Sequence, residues 1–147
     1  MDWQCKTPKE LGTFRPLSHA EPLFRMEGLR CFSLQMGPTA ADLAAIKANI
    51  TDLAPVTGDM ANTAAQMAHL DMILTADTSV AHLAGALARP TWLLLPSLPD
   101  WLWLPNREDS PWYPTMRLFR QAKPGDWQPV VDAVRVALQQ KLDQLSM

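Results

Sequence analysis

One short polar segment, residues 77–82, combines carboxylate, hydroxyl and imidazole side chains at a predicted strand-to-helix boundary. Met72–Thr75 is an apolar run of strand length, and from Thr78 onward the apolar residues recur at helical spacing. We expect Asp77 to cap this helix, because its carboxylate can accept hydrogen bonds from the first free helix N–H groups. Free N–H groups and the positive end of the helix dipole attract anions. The segment therefore predicts a phosphate-binding turn at the carboxyl end of a strand.

The same helix, predicted over residues 78–88, has an apolar side and a more polar side. Its apolar side, which should pack on a sheet, consists of Val80, Leu83, Ala84 and Leu87. Thr78, His82 and Gly85 fall on the opposite side. His82 is one turn from the predicted phosphate site, so it is a candidate ligand contact. The alternative is a surface or capping histidine, since many α/β proteins carry a capped helix after a strand and bind nothing there.

Composition excludes several classes of protein. The net charge of −2, without a basic block, gives no electrostatic reason to expect nucleic acid as a partner. No apolar run approaches the roughly 20 residues of a membrane span, and no signal peptide is recognisable. Cys5 and Cys31 are most simply reduced thiols of a cytoplasmic protein. Metal-ligand spacings, Walker loops and GxGxxG loops are missing from the sequence, so we expect neither a metal nor a cofactor.

The elements that would position this turn alternate along the chain, which has the length of one domain, residues 1–147. Strands are predicted at Met1–Cys5, Leu29–Gln35, Thr51–Ala54, Met72–Thr75, Thr91–Leu95 and Met116–Arg120. Helices are predicted at Leu17–Met26, from Thr39 to Ile50, at Met60–His69, at residues 78–88 and from Asp126 to Gln144. This alternation predicts an α/β fold with a doubly wound, mostly parallel sheet flanked by helices.

Several helix details follow from the same patterns. Thr39, Asp59 and Asp126 are predicted N-caps, with Asp42 completing a capping box after Thr39. Pro22 fits its helix only within the first turn. The inner side of the helix over residues 60–69 is predicted to contain Met60, Ala64, Met67 and Ala68. The inner side of the last helix is predicted to contain Trp127, Val130, Val131, Val134, Leu138, Leu142 and Leu145.

The tryptophan loop, residues 96–114, has too many prolines for regular structure and too many aromatic side chains for a solvated loop. Two interpretations remain open. Trp101, Trp103, Trp112 and Tyr113 either fold back over the sheet edge or form an exposed apolar patch that binds another copy of the chain or a partner protein.

Several motifs in order resemble the C-terminal domain of heptosyltransferase-like glycosyltransferases of the ADP-heptose transferase family, in the branch often fused to tetratricopeptide repeats in bacteria. They are Asp77–Leu87 (DTSVAHLAGAL), Pro90, Pro99–Trp103 (PDWLW), Asp109–Pro114 (DSPWYP), Arg117–Gln121 (RLFRQ) and Gly125–Trp127 (GDW). The resemblance implies a Rossmann-like domain that forms one half of a GT-B fold and holds a nucleotide-sugar donor.

The resemblance also implies roles for particular residues. Asp77, Thr78 and Ser79 would lie where the donor's pyrophosphate and sugar are held, with His82 beside them. The turn that contains Gln35 and Gly37 would lie near the nucleotide. Two positions differ from the family pattern: Ser79 stands where glycine is frequent, and Met36 where this branch often has lysine.

Three functions are compatible with these patterns. The first is a stand-alone donor-binding-type domain that holds an ADP- or UDP-linked sugar and is not catalytic alone, because the family's N-terminal acceptor domain has no counterpart ahead of Met1. Its diphosphate would be held by the helix N-terminus with His82 or Arg107. The second is a protein-interaction or self-assembly module that uses the tryptophan loop. The third is half of a split glycosyltransferase whose partner chain supplies the acceptor domain.

Overall fold

The computed structural model describes residues 17–35, 43, 46 and 50–146, and within them helices and strands alternate. The elements are α1 (Leu17–Phe24), β1 (Cys31–Ser33), β2 (Ile50–Asp52), α2 (Met60–Ala68), β3 (Ile73–Ala76), α3 (Ser79–Ala86), β4 (Thr91–Leu95), β5 (Met116–Arg120) and α4 (Gln128–Leu145), with 3₁₀ turns at Ala54–Val56 and Trp101–Trp103.

All strand pairs in this part of the chain are parallel. β1 pairs with β2, and β3, β4 and β5 form a second sheet in that order. The α/β class and the parallel pairing are thereby confirmed, and the arrangement is compatible with a Rossmann-like fold. The described strands form two sheets rather than the single predicted one. The predicted strand at Met1–Cys5 and the Thr39–Asp42 capping box lie outside the described residues.

Strand β4 lies at the centre of the larger sheet, and helices or loops cover both of its faces. Leu94 belongs to a core cluster formed with α1 and α4. Leu93 and Leu95 point the other way, into a cluster with Ala81 of α3 and Trp103 of the tryptophan loop. This explains the near-continuous apolar sequence of β4, because a strand covered on both faces has no polar side.

The long helix α4 packs its predicted stripe against α1 and the sheet. Val130, Val131, Val134 and Leu138 are buried, as predicted, and Ala137 joins them. Leu145 is exposed, so the buried stripe ends before the last residue of the helix. The predicted Asp126 cap is wrong: Trp127 occupies the N-cap position, and its side chain makes no capping hydrogen bond.

Helix α2 confirms one prediction and corrects another. The Asp59 carboxylate accepts a hydrogen bond from the Asn62 N–H at 2.8 Å, which is the predicted N-cap. The buried side of the helix consists of Thr63 and Met67, whereas Met60 and Ala68 are exposed. The buried stripe therefore starts at Thr63, three residues later than predicted, and includes the predicted Met67.

Helix α1 departs from the prediction at Pro22. The helix begins at Leu17, so Pro22 is its sixth residue and lies past the first turn. A proline there provides no N–H for an i to i−4 hydrogen bond. The helix ends at Phe24, two residues short of the predicted Met26.

Candidate functional site

The N-terminus of α3 is open to solvent at the carboxyl end of β3. Strand β3 ends at Ala76, and Ser79 is the first helical residue. Asp77, Thr78 and Ser79 are all exposed. The first backbone N–H groups of a helix have no partner within the helix, and none of these is capped by the N-cap side chain. The arrangement has the polarity of an anion-binding turn.

The predicted role of Asp77 as helix cap is wrong. The N-cap residue is Thr78, in extended backbone conformation, and it makes no side-chain capping hydrogen bond. The helix starts one residue later than the sequence indicates, which puts Asp77 outside it. The Thr78 hydroxyl lies 3.5 Å from the Thr75 hydroxyl instead. The N-cap side chain therefore leaves the first N–H groups of α3 without a capping hydrogen bond.

The His82 ring is held in place by aromatic neighbours one turn into α3. It stacks on Trp103, with ring centroids 5.5 Å apart and an angle of 24° between planes. Its Nδ1 lies 3.1 Å from the hydroxyl oxygen of Tyr113, within hydrogen-bond distance. Its Nε2 faces Asp77 with 3.9 Å between Nε2 and Oδ1, which is beyond a direct hydrogen bond. His82 thus keeps one ring nitrogen directed toward the turn.

The tryptophan loop covers part of the side of α3 predicted to be polar, at His82 and Gly85. Gly85 is buried, and a Cβ built there would lie 2.5 Å from Cδ1 and Cγ of Tyr113. Ala81 is also fully buried, whereas Leu87, on the predicted sheet side, is exposed. Glycine at position 85 lets the Tyr113 ring approach the helix backbone, which brings its hydroxyl to His82. Sequence periodicity gave no sign of this second covered side.

The tryptophan loop divides its aromatic residues between core and surface. Trp103 is fully buried and Tyr113 partly buried, whereas Trp101 and Trp112 are 77% and 55% exposed. The Trp112 indole N–H donates to the Leu102 carbonyl at 3.0 Å, which fixes one part of the loop to another. Trp103 and Tyr113 thus fold back over the core, and Trp101 and Trp112 are exposed, whereas binding of another chain through them stays a prediction.

Arg120, at the end of β5, anchors the tryptophan loop by hydrogen bonds to its backbone. Its guanidinium donates hydrogen bonds to the carbonyl oxygens of Trp103, Leu104 and Arg107. Leu104 has a positive φ of 47°, a conformation that a leucine seldom adopts, and its carbonyl is among those that Arg120 holds. Partial burial lowers the pKa of Arg120, whose charge is retained at any physiological pH.

The other candidate residues of the sequence lie apart from this turn. Gln35 follows β1, its N–H donates to the Ser33 hydroxyl at 3.2 Å, and its buried Oε1 has no hydrogen-bond partner among the described residues. Leu34 beside it packs against the cluster of Met67, Ile73 and Ala84. The end of β1 therefore lies near β3 and α3, but no contact recorded in the described part joins Gln35 to the 77–79 turn. Gly37 lies outside the described residues.

Arg107, a candidate for holding a diphosphate, is already paired. Its guanidinium donates to both carboxylate oxygens of Asp109, at 2.8 and 2.7 Å. These hydrogen bonds lower the pKa of Asp109 and raise that of Arg107. The pair is largely exposed, and its guanidinium is oriented toward the carboxylate of its own loop.

The residues that the structure describes contain no group of three or more His, Cys, Asp or Glu side chains placed to hold a metal ion. Within the same residues, no helix combines the length and apolar character needed to cross a bilayer. Comparisons of the chain with protein-family models, with curated proteins and with solved structures found no match.

Proposed function

We propose that this chain is a donor-binding-type domain, derived from a glycosyltransferase, that holds the diphosphate of an ADP- or UDP-linked sugar at the N-terminus of α3. One observation carries the proposal: residues 77–79 are exposed at the carboxyl end of a parallel strand, and the Thr78 side chain does not cap the first N–H groups of α3. In open α/β sheets, phosphates bind at this kind of position. Among ligands that contain phosphate, we favour a nucleotide sugar, because residues 77–87 resemble the heptosyltransferase-like family.

The surrounding side chains fit a diphosphate with a sugar attached. The Thr78 and Ser79 hydroxyls are exposed next to the free N–H groups and can donate to phosphate oxygens. His82 directs Nε2 toward the same turn. Asp77 does not cap the helix, so its carboxylate is available to accept a hydrogen bond from a sugar hydroxyl. A half-buried free thiol at Cys31 suits the reducing cytoplasm, where we place this function.

We do not assign a catalytic base. Transfer to an acceptor requires a group that removes the acceptor's proton within hydrogen-bond reach. Asp77 is the carboxylate nearest to the turn, and it has the sugar-binding role above. The domain therefore binds the donor without transferring the sugar by itself.

Thermal-shift measurements with ADP, UDP and GDP and their sugar-linked forms test the proposal. We expect ADP, UDP or one of their sugars to raise the melting temperature in a concentration-dependent way, because a ligand that binds only the folded state stabilises it. The absence of a shift with all of these compounds at millimolar concentration contradicts the proposal.

Two variants at one position test the mode of binding. Ser79→Pro removes the first helical N–H but suits the helix, because proline is favoured at N1 and Thr78 already has the extended backbone that precedes proline. Ser79→Ala, its matched control, keeps the N–H and removes the hydroxyl. We expect Ser79→Pro to abolish the ligand-induced shift without lowering the unliganded melting temperature, and Ser79→Ala to retain most of it. Equal ligand shifts in the two variants contradict binding by the backbone.

A second candidate function rests on the exposed side chains of the tryptophan loop. Leu98, Trp101 and Trp112 are 68%, 77% and 55% exposed, and large apolar side chains of this kind often mark protein contacts. An assembly module predicts a concentration-dependent dimer in light scattering that Trp101→Ser and Trp112→Ser each weaken. A split glycosyltransferase predicts instead that sugar transfer appears when a chain carrying an acceptor domain is added.

A further inference from the structure

The side chain of Tyr113 makes a contact that ties the tryptophan loop to α3. Its hydroxyl oxygen lies 3.1 Å from Nδ1 of His82, and the two rings meet edge to face with centroids 5.9 Å apart. The backbone of Tyr113 is held on both sides: its N–H donates to the buried Ser110 hydroxyl at 3.3 Å, and its carbonyl accepts from the Met116 N–H at 2.9 Å. Because Gly85 leaves room for the ring, the phenol reaches His82 from a fixed position.

The two nitrogens of the His82 ring have different neighbours. Nδ1 lies beside the Tyr113 hydroxyl, and Nε2 faces Oδ1 of Asp77 at 3.9 Å. A carboxylate only accepts hydrogen bonds, whereas a phenol can donate or accept. In the neutral imidazole one nitrogen carries the proton and the other has a lone pair. A lone pair on Nε2 would face the carboxylate unfavourably, so the proton belongs on Nε2, and Nδ1 accepts a hydrogen bond from the phenol.

The N–H on Nε2 of His82 remains available to a ligand. The distance of 3.9 Å to Asp77 is too long for a direct hydrogen bond, and the His82 side chain is 42% exposed. The ionised oxygens of a diphosphate only accept hydrogen bonds, so this N–H matches them. We propose that Tyr113 is a positioning residue, which keeps the proton of neutral His82 on Nε2 and so presents an N–H donor at the 77–79 turn. The identity of the acceptor, a diphosphate oxygen, rests on the proposed function.

Spectroscopy of the unliganded chain tests the position of this proton. Tyr113 is the only tyrosine in the sequence, so the tyrosine doublet in the Raman spectrum reports on this residue alone. We expect the doublet to indicate a phenol that donates a strong hydrogen bond. We also expect nitrogen NMR at about pH 8, where imidazole is neutral, to show Nδ1 of His82 without a proton. A protonated Nδ1, or a phenol that accepts, overturns the proposal.

Two histidine variants identify the partner of the phenol. His82→Leu removes both ring nitrogens, so we expect the Raman doublet to change to that of a phenol bonded to water. His69→Leu is the matched control, because His69 is an exposed histidine at the C-cap of α2, and it should leave the doublet unchanged. The NMR signals lost in His82→Leu assign the ring nitrogens of His82. An unchanged doublet in His82→Leu overturns the proposal, because the phenol then has another partner.

A double-mutant cycle separates positioning of His82 from a purely structural contact. Tyr113→Phe removes the hydroxyl and keeps the ring. We expect it to weaken the binding of ADP or UDP, measured by calorimetry, about three- to tenfold, because His82 is no longer held in one tautomer. In the His82→Leu background the same change should alter the affinity by less than about twofold, since Tyr113 acts through His82. Equal weakening in both backgrounds, or a lower melting temperature of Tyr113→Phe with unchanged affinity, overturns the proposal.

The role of Tyr113 and the proposed function fail in different measurements. If neither ADP nor UDP binds the wild type, the proposed function is overturned, while a donating phenol and an unprotonated Nδ1 still support the role of Tyr113. If a nucleotide binds but Nδ1 of His82 is protonated, the role of Tyr113 is overturned and the proposed function stands.

Discussion

Gly85 determines how closely the tryptophan loop approaches α3. An added Cβ would lie 2.5 Å from the Tyr113 ring and 2.8 Å from Cε of Met116. We expect Gly85→Ala to destabilise the protein by about 1–3 kcal/mol, since the clash outweighs the helix propensity gained from alanine. Urea denaturation measures the change. Gly58→Ala is the control, because among the described residues its new Cβ would meet only Asn62 Nδ2, at 3.6 Å. An equal loss of unfolding free energy in Gly85→Ala and Gly58→Ala contradicts the clash with the Tyr113 ring.

Arg120 provides the second prediction at the residue scale. Arg120→Met leaves the carbonyls of the loop without their donor, so we expect a loss of about 2–3 kcal/mol in the free energy of unfolding. Arg117→Met on the same strand is the matched control. The Arg117 guanidinium is exposed and lies 4.8 Å from the centre of the Phe119 ring, so its removal should cost about 0.5–1 kcal/mol. If urea denaturation gives the same loss of unfolding free energy for Arg120→Met and Arg117→Met, Arg120 has no anchoring role.

The residues of the proposed sites differ in how far the sequence could predict them. Asp77, Thr78, Ser79 and His82 stand at a change of hydrophobic period, which is a local signal, so the turn itself was predictable. The anchoring role of Arg120 was missed, because it depends on carbonyls supplied by the tryptophan loop. No periodic pattern encodes contacts between a strand end and an irregular loop.

At the scale of elements, the C-terminal end of α3 has two alanines, Ala86 and Ala88, at which substitution by glycine should change stability in opposite directions. Ala88 has a positive φ of 50°, and the Arg89 N–H donates to the Ala84 carbonyl across the turn at 2.9 Å. We expect Ala88→Gly to stabilise the protein by about 0.5–1 kcal/mol, because glycine adopts this conformation without strain. Ala86→Gly, in the last helical turn, should destabilise it by about the same amount. In thermal unfolding, Ala88→Gly should raise the melting temperature and Ala86→Gly should lower it. A change in the same direction in both variants contradicts the prediction.

The Asp59 cap of α2 predicts a pH dependence. Hydrogen bonds from Asn62 lower the pKa of this carboxyl below its ordinary value of 3.8. A carboxyl with a lowered folded-state pKa stabilises the protein above its unfolded pKa, and this stabilisation is lost as the pH falls through the folded pKa. Asp59→Asn keeps the cap without the charge. We expect the wild type to melt higher than Asp59→Asn at pH 7 and the gap to close by about pH 2. A gap that widens on acidification contradicts this prediction.

Element boundaries show what local sequence signals decide. Strand β4 matches its prediction at both ends, because a continuous apolar run between Pro90 and Pro96 is unambiguous. β1 is shorter than predicted, at three residues, and α3 begins one residue late. These ends depend on which hydrogen-bond partner lies across the sheet or turn, and that information comes from distant parts of the chain.

At the scale of the whole molecule, stability should be unevenly distributed. β4 has paired strands on both sides and buried side chains on both faces, whereas two of the three residues of β2 are exposed. We expect the amides of β4 to exchange with deuterium only on global unfolding, and those of the β1–β2 pair to exchange earlier through local opening. Native-state hydrogen exchange in low denaturant measures both. Equal protection of the two sheets contradicts the prediction.

The anchoring of the tryptophan loop by Arg120 sets an order of assembly during synthesis. The ribosome makes the loop before it makes β5, so the guanidinium that holds the loop arrives 16 residues after Leu104. Until β5 docks on β4, the carbonyls of the loop must bond to water and its aromatic rings remain uncovered. A nascent chain halted before position 120 therefore exposes the aromatic side chains that the finished protein buries. We expect chaperones to bind the nascent chain mainly at this stage of synthesis.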